Sequence, residues 1–140
     1  MSKVAVVYWS GTGNTEAMAQ KVLEGAKEAG AEASLFTASD FNGDMMDEYD
    51  AVAFGCPSMG GEELEDSEFE PMFQGCESKL QGKKIALFGS YGWGDGEWMR
   101  NWEESCKESG AVLAHDSVIC NNAPDEDGEA DCKELGKALA

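Results

Sequence analysis

The chain is short of positive charge. Its 140 residues carry 10 Lys and Arg against 28 Asp and Glu, a formal net charge of −18. Nucleic acid and anionic membrane surfaces would both repel it, so neither is expected as a partner. Basic docking surfaces are what it suits. There is one histidine, and the five cysteines (Cys56, Cys76, Cys106, Cys120 and Cys132) include no CxxC pair. No metal site is therefore expected. The odd count fits reduced thiols in a cytoplasmic protein. No apolar run approaches membrane-spanning length. Met1-Ser2-Lys3 leads straight into the first apolar run, so no signal peptide is expected. Repeats, low-complexity tracts and linkers are missing too, and residues 1–140 are expected to form one domain.

What is present is an alternation of apolar runs and helical patterns. Val4 to Tyr8 reads as a buried strand. Thr15, Met18, Ala19, Val22, Leu23 and Ala26 follow helical spacing, and Gly30 stops that helix. Ala31 to Phe36 is a weaker second strand, Asp40 to Asp47 a short helix or loop, and Ala51 to Gly55 a third strand. Ser67 to Leu80 predicts a helix with Phe69, Met72, Phe73 and Cys76 on one face and Pro71 in its first turn. Lys84 to Gly89 is a fourth strand, and Gly96 to Ser109 a helix in which Trp98 and Trp102 read as core. Ala111 to Ala114 and Ser117 to Cys120 form an interrupted fifth strand, and Asp127 to Leu139 a closing helix. The acids between Glu62 and Glu70 read mostly as a solvated face. The expected fold is α/β: a doubly wound, five-stranded parallel sheet in the order 2-1-3-4-5 with helices on both faces. Its ligand crevice lies at the carboxyl ends of strands 1 and 3.

Three loops meet there. The first, Ser10-Gly11-Thr12-Gly13-Asn14-Thr15, joins a strand to a helix through glycines, hydroxyls and an amide. That is the chemistry of a phosphate cradle, with backbone N–H groups and a helix N-terminus converging on an anion. It contains no Lys or Arg, so the phosphate would be held by neutral donors. GxxxxGK[ST] is absent, which excludes a nucleotide triphosphatase. A receiver-type phosphorylation switch would need acids where Trp9 and Cys56 stand. The second loop, from Cys56 to Glu62, and the third, from Ser90 to Gly96, carry Met59 and Trp93 near their tips. Apolar side chains in water there imply a flat partner held between them. Nothing flanking Cys56 would lower its thiol pKa, so no reactive role is expected.

Together these loops resemble the three cofactor loops of a short-chain flavodoxin of the clostridial type. The likeness extends to Asp66-Ser67-Glu68-Phe69-Glu70-Pro71 and to Gly82-Lys83-Lys84-Ile85-Ala86-Leu87-Phe88-Gly89, and so spans nearly the whole chain. The long-chain insertion into the fifth strand is missing. The resemblance implies non-covalently bound FMN. Ser10, Gly11, Thr12, Gly13, Asn14 and Thr15 would take the phosphate. Pro57, Ser58, Met59, Gly60, Gly61 and Glu62 would form the second contact, with Met59 on the inner flavin face and Glu62 accepting from flavin N3–H. Ser90, Tyr91, Gly92, Trp93 and Gly94 would form the third, with Trp93 on the outer face. Asn122 would meet the pyrimidine edge.

The implied function is low-potential, one-electron transfer in place of ferredoxin, cycling mainly between semiquinone and hydroquinone. The expected partners are basic docking surfaces of ferredoxin- or flavodoxin-dependent oxidoreductases, and the expected state is a monomer. The peptide that flips on reduction would be Gly60–Gly61, and the second glycine departs from many relatives. Ala123 stands where clostridial relatives can carry Glu. The acidic chain would oppose an anionic hydroquinone and lower the second potential. The rival readings are an NAD(P)H-dependent quinone or flavin reductase and an FMN-storage protein. A reductase would need a second substrate pocket, for which the chain has no spare length.

Overall fold

The computed structural model describes residues 2–59 and 63–140. Six strands are present: β1 (Lys3–Tyr8), β2 (Glu32–Thr37), β3 (Ala51–Gly55), β4 (Lys84–Tyr91), β5 (Val112–Leu113) and β6 (Val118–Asn121). The α-helices are α1 (Asn14–Glu28), α2 (Phe69–Cys76), α3 (Glu97–Glu108) and α4 (Glu126–Leu139). Every strand pairing is parallel, and the order is β2-β1-β3-β4-β5, with β6 also on β4. This is the doubly wound sheet expected from the sequence, down to the interrupted fifth position.

The strand pattern explains the layering. Ala5 and Val7 of β1 face one side of the sheet, while Val4, Val6 and Tyr8 face the other. One core contains Phe54, Phe69, Phe73, Trp98 and Trp102 under α2 and α3. The other contains Met18, Val22, Phe88, Cys132 and Leu135 under α1 and α4. With both faces covered, β3 can be apolar throughout and β1 apolar from Val4 onward. A Cβ on Gly136 of α4 would come within 2.1 Å of Val22 O on α1, so these helices pack backbone to backbone.

One local reading gains detail and two need correction. The segment after β2 forms two short 3-10 helices, Ala38–Asp40 and Gly43–Glu48, the second capped by the Asn42 side chain accepting from Met45 N–H at 3.2 Å. The helix expected to reach Leu80 tightens after Cys76 into a 3-10 turn, Glu77–Lys79. The fourth strand runs two residues past Gly89, because β6 supplies partners: Ser90 registers with Cys120 and Tyr91 with Asn121. Phe69, Met72, Phe73 and Cys76 are buried as expected, and Pro71 lies in the first turn of α2.

Parallel strands with returning helices place all carboxyl strand ends at one pole. The amino-terminal pole holds lysines among acids such as Glu28, Asp47 and Asp50. Lys3 and Lys84 open β1 and β4, and Lys27, Lys107 and Lys137 lie in the last turns of α1, α3 and α4. There they also complement the helix dipoles. Lys83 donates to the carbonyls of Met46 (2.7 Å) and Tyr49, and Lys79 pairs with Asp47 at 2.8 Å.

Candidate functional site

At the opposite pole, Trp9 N–H donates to Gly55 O at 3.0 Å, which carries the β1–β3 ladder into the first loop. Ser10 Oγ accepts from Gly13 N–H at 3.0 Å, and Gly13 (φ 97°) turns the chain into α1. A side chain at that φ would be strained. Gly11, Thr12 and Gly13 are exposed, so their backbone faces solvent at the start of α1. Behind them Thr15 is buried, and its hydroxyl lies 2.8 Å from Ser90 Oγ.

The second loop is tied at both ends. Ser58 N–H donates to Ser90 O at 2.9 Å, and Met59 and Glu63 exchange two backbone hydrogen bonds of 2.9 Å. Gly60, Gly61 and Glu62 lie outside the described residues, and with them the expected N3–H acceptor and flipping peptide. The third loop is braced by Arg100, whose guanidinium donates to Asp95 O (3.0 Å) and Asp95 Oδ1 (3.1 Å). Asn122 closes the fourth edge with a positive φ of 60°, its N–H bonded to Tyr91 O at 2.8 Å.

These loops enclose a cavity of about 270 Å³ lined by Trp9, Gly11, Thr12, Asn14, Pro57, Ser58, Met59, Ser90, Tyr91, Gly92, Trp93 and Asn122. None of these residues is charged. Trp93 is 57% exposed. Ser58 is only 6% exposed, and its hydroxyl has no hydrogen-bond partner among the described residues. A buried hydroxyl with no partner is costly unless a ligand engages it. The uncharged described walls, the buried Ser58 hydroxyl and the Met–Trp pair fit a planar, polar-edged ring system such as a flavin.

The expected contacts separate into three groups. Gly11, Thr12, Asn14, Pro57, Ser58, Met59, Ser90, Tyr91, Gly92, Trp93 and Asn122 meet in the cavity. Ser10 and Gly13 line a neighbouring groove of about 560 Å³, which shares Gly11 and Thr12. Thr15 and Gly94 line neither: Thr15 supports the loop from within, and Gly94 (φ 81°) shapes the third turn. Cys56 is buried, and burial pushes its thiol up to about 12, which agrees with an unreactive role. All five cysteines are unpaired.

Two residues escaped the sequence reading. Trp9 lines the cavity, and its Nε1–H donates to Glu68 Oε1 at 3.4 Å, linking the first loop to the residue before α2. Glu65 is 4% exposed and caps α2, accepting from Ser67 N–H (2.9 Å), Glu68 N–H (2.8 Å), Phe69 N–H (2.8 Å) and Ser67 Oγ. Burial would raise its pKa, but these donors outweigh burial and hold it at about 2. The available signal was a Glu four residues ahead of a helix start, hidden among other acids.

Comparison with known proteins agrees with this geometry. The family model described as Flavodoxin matches residues 6–136. The Clostridium beijerinckii flavodoxin is 49% identical over 135 residues, covering 96% of this chain and 97% of that protein. The Megasphaera elsdenii flavodoxin is 49% identical over 137 residues, covering 98% of each. The solution structure of the two-electron reduced Megasphaera elsdenii flavodoxin superposes with a TM-score of 0.90 at 48% identity, over 97% of both chains. With fold, loop geometry and full-length similarity in accord, the chain belongs to the flavodoxin family, FMN-binding electron carriers rather than enzymes.

Proposed function

We propose that the cavity between the loops holds FMN non-covalently, and that the protein carries electrons one at a time, at low potential, between redox enzymes that otherwise use ferredoxin. Bound FMN supplies the ring that takes up and returns the electrons. The observation that carries this reading is one cavity whose described walls are uncharged and bear Met59, Trp93 and a Ser58 hydroxyl without a partner among the described residues. Met59 and Trp93 would hold the ring faces and exclude water from them. Residues 10–15 would hold the phosphate through neutral donors and the start of α1. Ser58 and Asn122 would serve the polar edges. Glu62 would accept from N3–H, as the resemblance implies.

The surface supports a docking role. Glu63, Asp66, Glu68 and Asp95 are exposed on the segments that follow the second loop and form the third, in a chain of net charge −18. Such acids would steer the loop end onto basic partner surfaces and resist added negative charge in the site. Among the described residues no helix is long and apolar enough to cross a membrane. A cytoplasmic monomer fits this reading.

Reconstitution tests it. The apoprotein should bind one FMN in preference to FAD, and anaerobic dithionite titration should show two resolved one-electron steps. Reduction of a ferredoxin-dependent partner should slow as salt rises. A preference for FAD, a single two-electron step, or NADPH oxidation by the purified protein alone would overturn it.

A further inference from the structure

Cys120 and Cys132 lie outside the cofactor cavity, in one apolar cluster beneath α4. Cys120 lies on β6 and Cys132 on the second turn of α4, the helix packed against that strand. Both are unpaired. Gly128, one turn before Cys132, makes room for the sulfur: a Cβ there would come within 2.7 Å of Cys120 Sγ. Cys132 is fully buried, while Cys120 is 8% exposed and forms part of a shallow cavity of about 230 Å³ open to solvent. The two thiols therefore have different access, one reachable from the surface and one behind it.

We propose that Cys120 and Cys132 are a reversible dithiol–disulfide switch, oxidised by a small neutral peroxide and coupled to the cofactor pocket through β6. The cavity over Cys120 is rimmed by Asp125, Asp127 and Asp131. Those carboxylates repel anionic oxidants such as glutathione disulfide but not hydrogen peroxide. The neighbouring Cys132 favours the Cys120 thiolate, against the opposing effects of burial and of Asp125 and Asp131. Cys132 is pushed up by the adjoining Cys120 and by burial. Cys120 is thus the attacking sulfur and Cys132 the resolving one.

The chemistry balances. The Cys120 thiolate attacks a peroxide oxygen, the O–O bond breaks, and the departing hydroxide takes a proton to leave as water. Cys132 sulfur then attacks the Cys120 sulfenic acid. An S–S bond forms, the S–O bond breaks, and the second oxygen leaves as water with the Cys132 proton. Two thiols are oxidised and one peroxide is reduced to two waters.

Closure draws the sulfurs to about 2 Å. Because Ser90 and Tyr91 register with Cys120 and Asn121, and Asn122 follows directly, movement of Cys120 toward α4 pulls on two walls of the cofactor cavity. Oxidation is expected to weaken FMN binding.

The test exposes FMN-loaded protein to hydrogen peroxide, removes the peroxide, and alkylates it in denaturant for intact and peptide mass analysis. The expected product has lost two hydrogens, joins the Cys120 and Cys132 peptides, and labels only at Cys56, Cys76 and Cys106. Dithiothreitol should restore all labels. Cys132→Ser should stop at an oxygenated Cys120, and Cys120→Ser should leave Cys132 reduced. Oxygen addition at Cys120 in the wild type, labelling of all five cysteines, or cross-linked dimers would overturn the switch. The FMN dissociation constant should rise about threefold or more on oxidation and recover on reduction. An unchanged constant in the disulfide form would overturn the coupling. The mass readout needs no bound cofactor, so it stands apart from the FMN reading.

Discussion

Thr15 at the start of α1 and Ser90 near the end of β4, 75 residues apart, share a buried hydroxyl–hydroxyl hydrogen bond of 2.8 Å. The bond locks the phosphate-side loop to the strand that opens the third loop. Thr15→Val keeps the shape and leaves Ser90 Oγ unpaired. The expected loss is about 1–3 kcal/mol in urea unfolding of the apoprotein. Adding Ser90→Ala should recover part of it, and a double-mutant cycle measures the coupling. A loss that is simply additive would show that the pair contributes nothing.

Glu65 gives a stability signature in acid. Its folded-state pKa of about 2 lies below the ordinary value of 4.5. A depressed carboxylate stabilises the fold above its unfolded pKa, and that contribution is lost as pH falls through the folded one. Glu65→Gln should cost up to about 3 kcal/mol at pH 7. The gap from wild type should narrow progressively as pH falls from 5 towards 2. Denaturant midpoints across that range are the measurement; a constant gap would refute the capping role.

Trp93 should matter for ligand more than for stability, since it is largely exposed. Trp93→Ala is expected to raise the FMN dissociation constant about tenfold, equivalent to ~1.4 kcal/mol. Trp93→Phe should recover most of it. Fluorescence of released FMN follows both, and an unchanged constant for the Ala variant would remove Trp93 from the contact surface.

The packing of α1 on α4 is testable far from the site. Gly136→Ala places a methyl against Val22 O and Ala26 N, at 2.1 and 2.9 Å. Overpacking of this kind costs about 1–3 kcal/mol. Thermal unfolding should show the loss while FMN affinity in the folded state stays near wild type.

The parts legible in sequence were those fixed by local pattern. Continuous apolar runs marked β1 from Val4 onward and β3, because a strand segment covered on both faces needs no polar positions. Glycine–hydroxyl spacing marked the first loop. Glu65 was hidden because a run of acids does not say which carboxylate will find the helix's N–H groups. The extension of β4 through Tyr91 depends on β6, about 30 residues downstream, and no local signal announces that pairing. Trp9 looked like a strand end, and its place in the cavity follows from how three separate loops converge.

The lysines at the amino-terminal pole have a further consequence. The lysines at that end stand beside acids (Lys79 with Asp47 at 2.8 Å, Lys137 with Glu28 at 3.9 Å), whereas Glu63, Asp66 and Glu68 on the loop side have no ion pair among the described residues, so the charge is spread unevenly and acts as a dipole. In the field of a basic partner, a dipole feels a torque before contact. The molecule would turn its loop end forward while still diffusing, so a larger share of encounters would begin correctly oriented. Within a Debye length, about 8 Å at physiological salt, that pre-orientation is strongest.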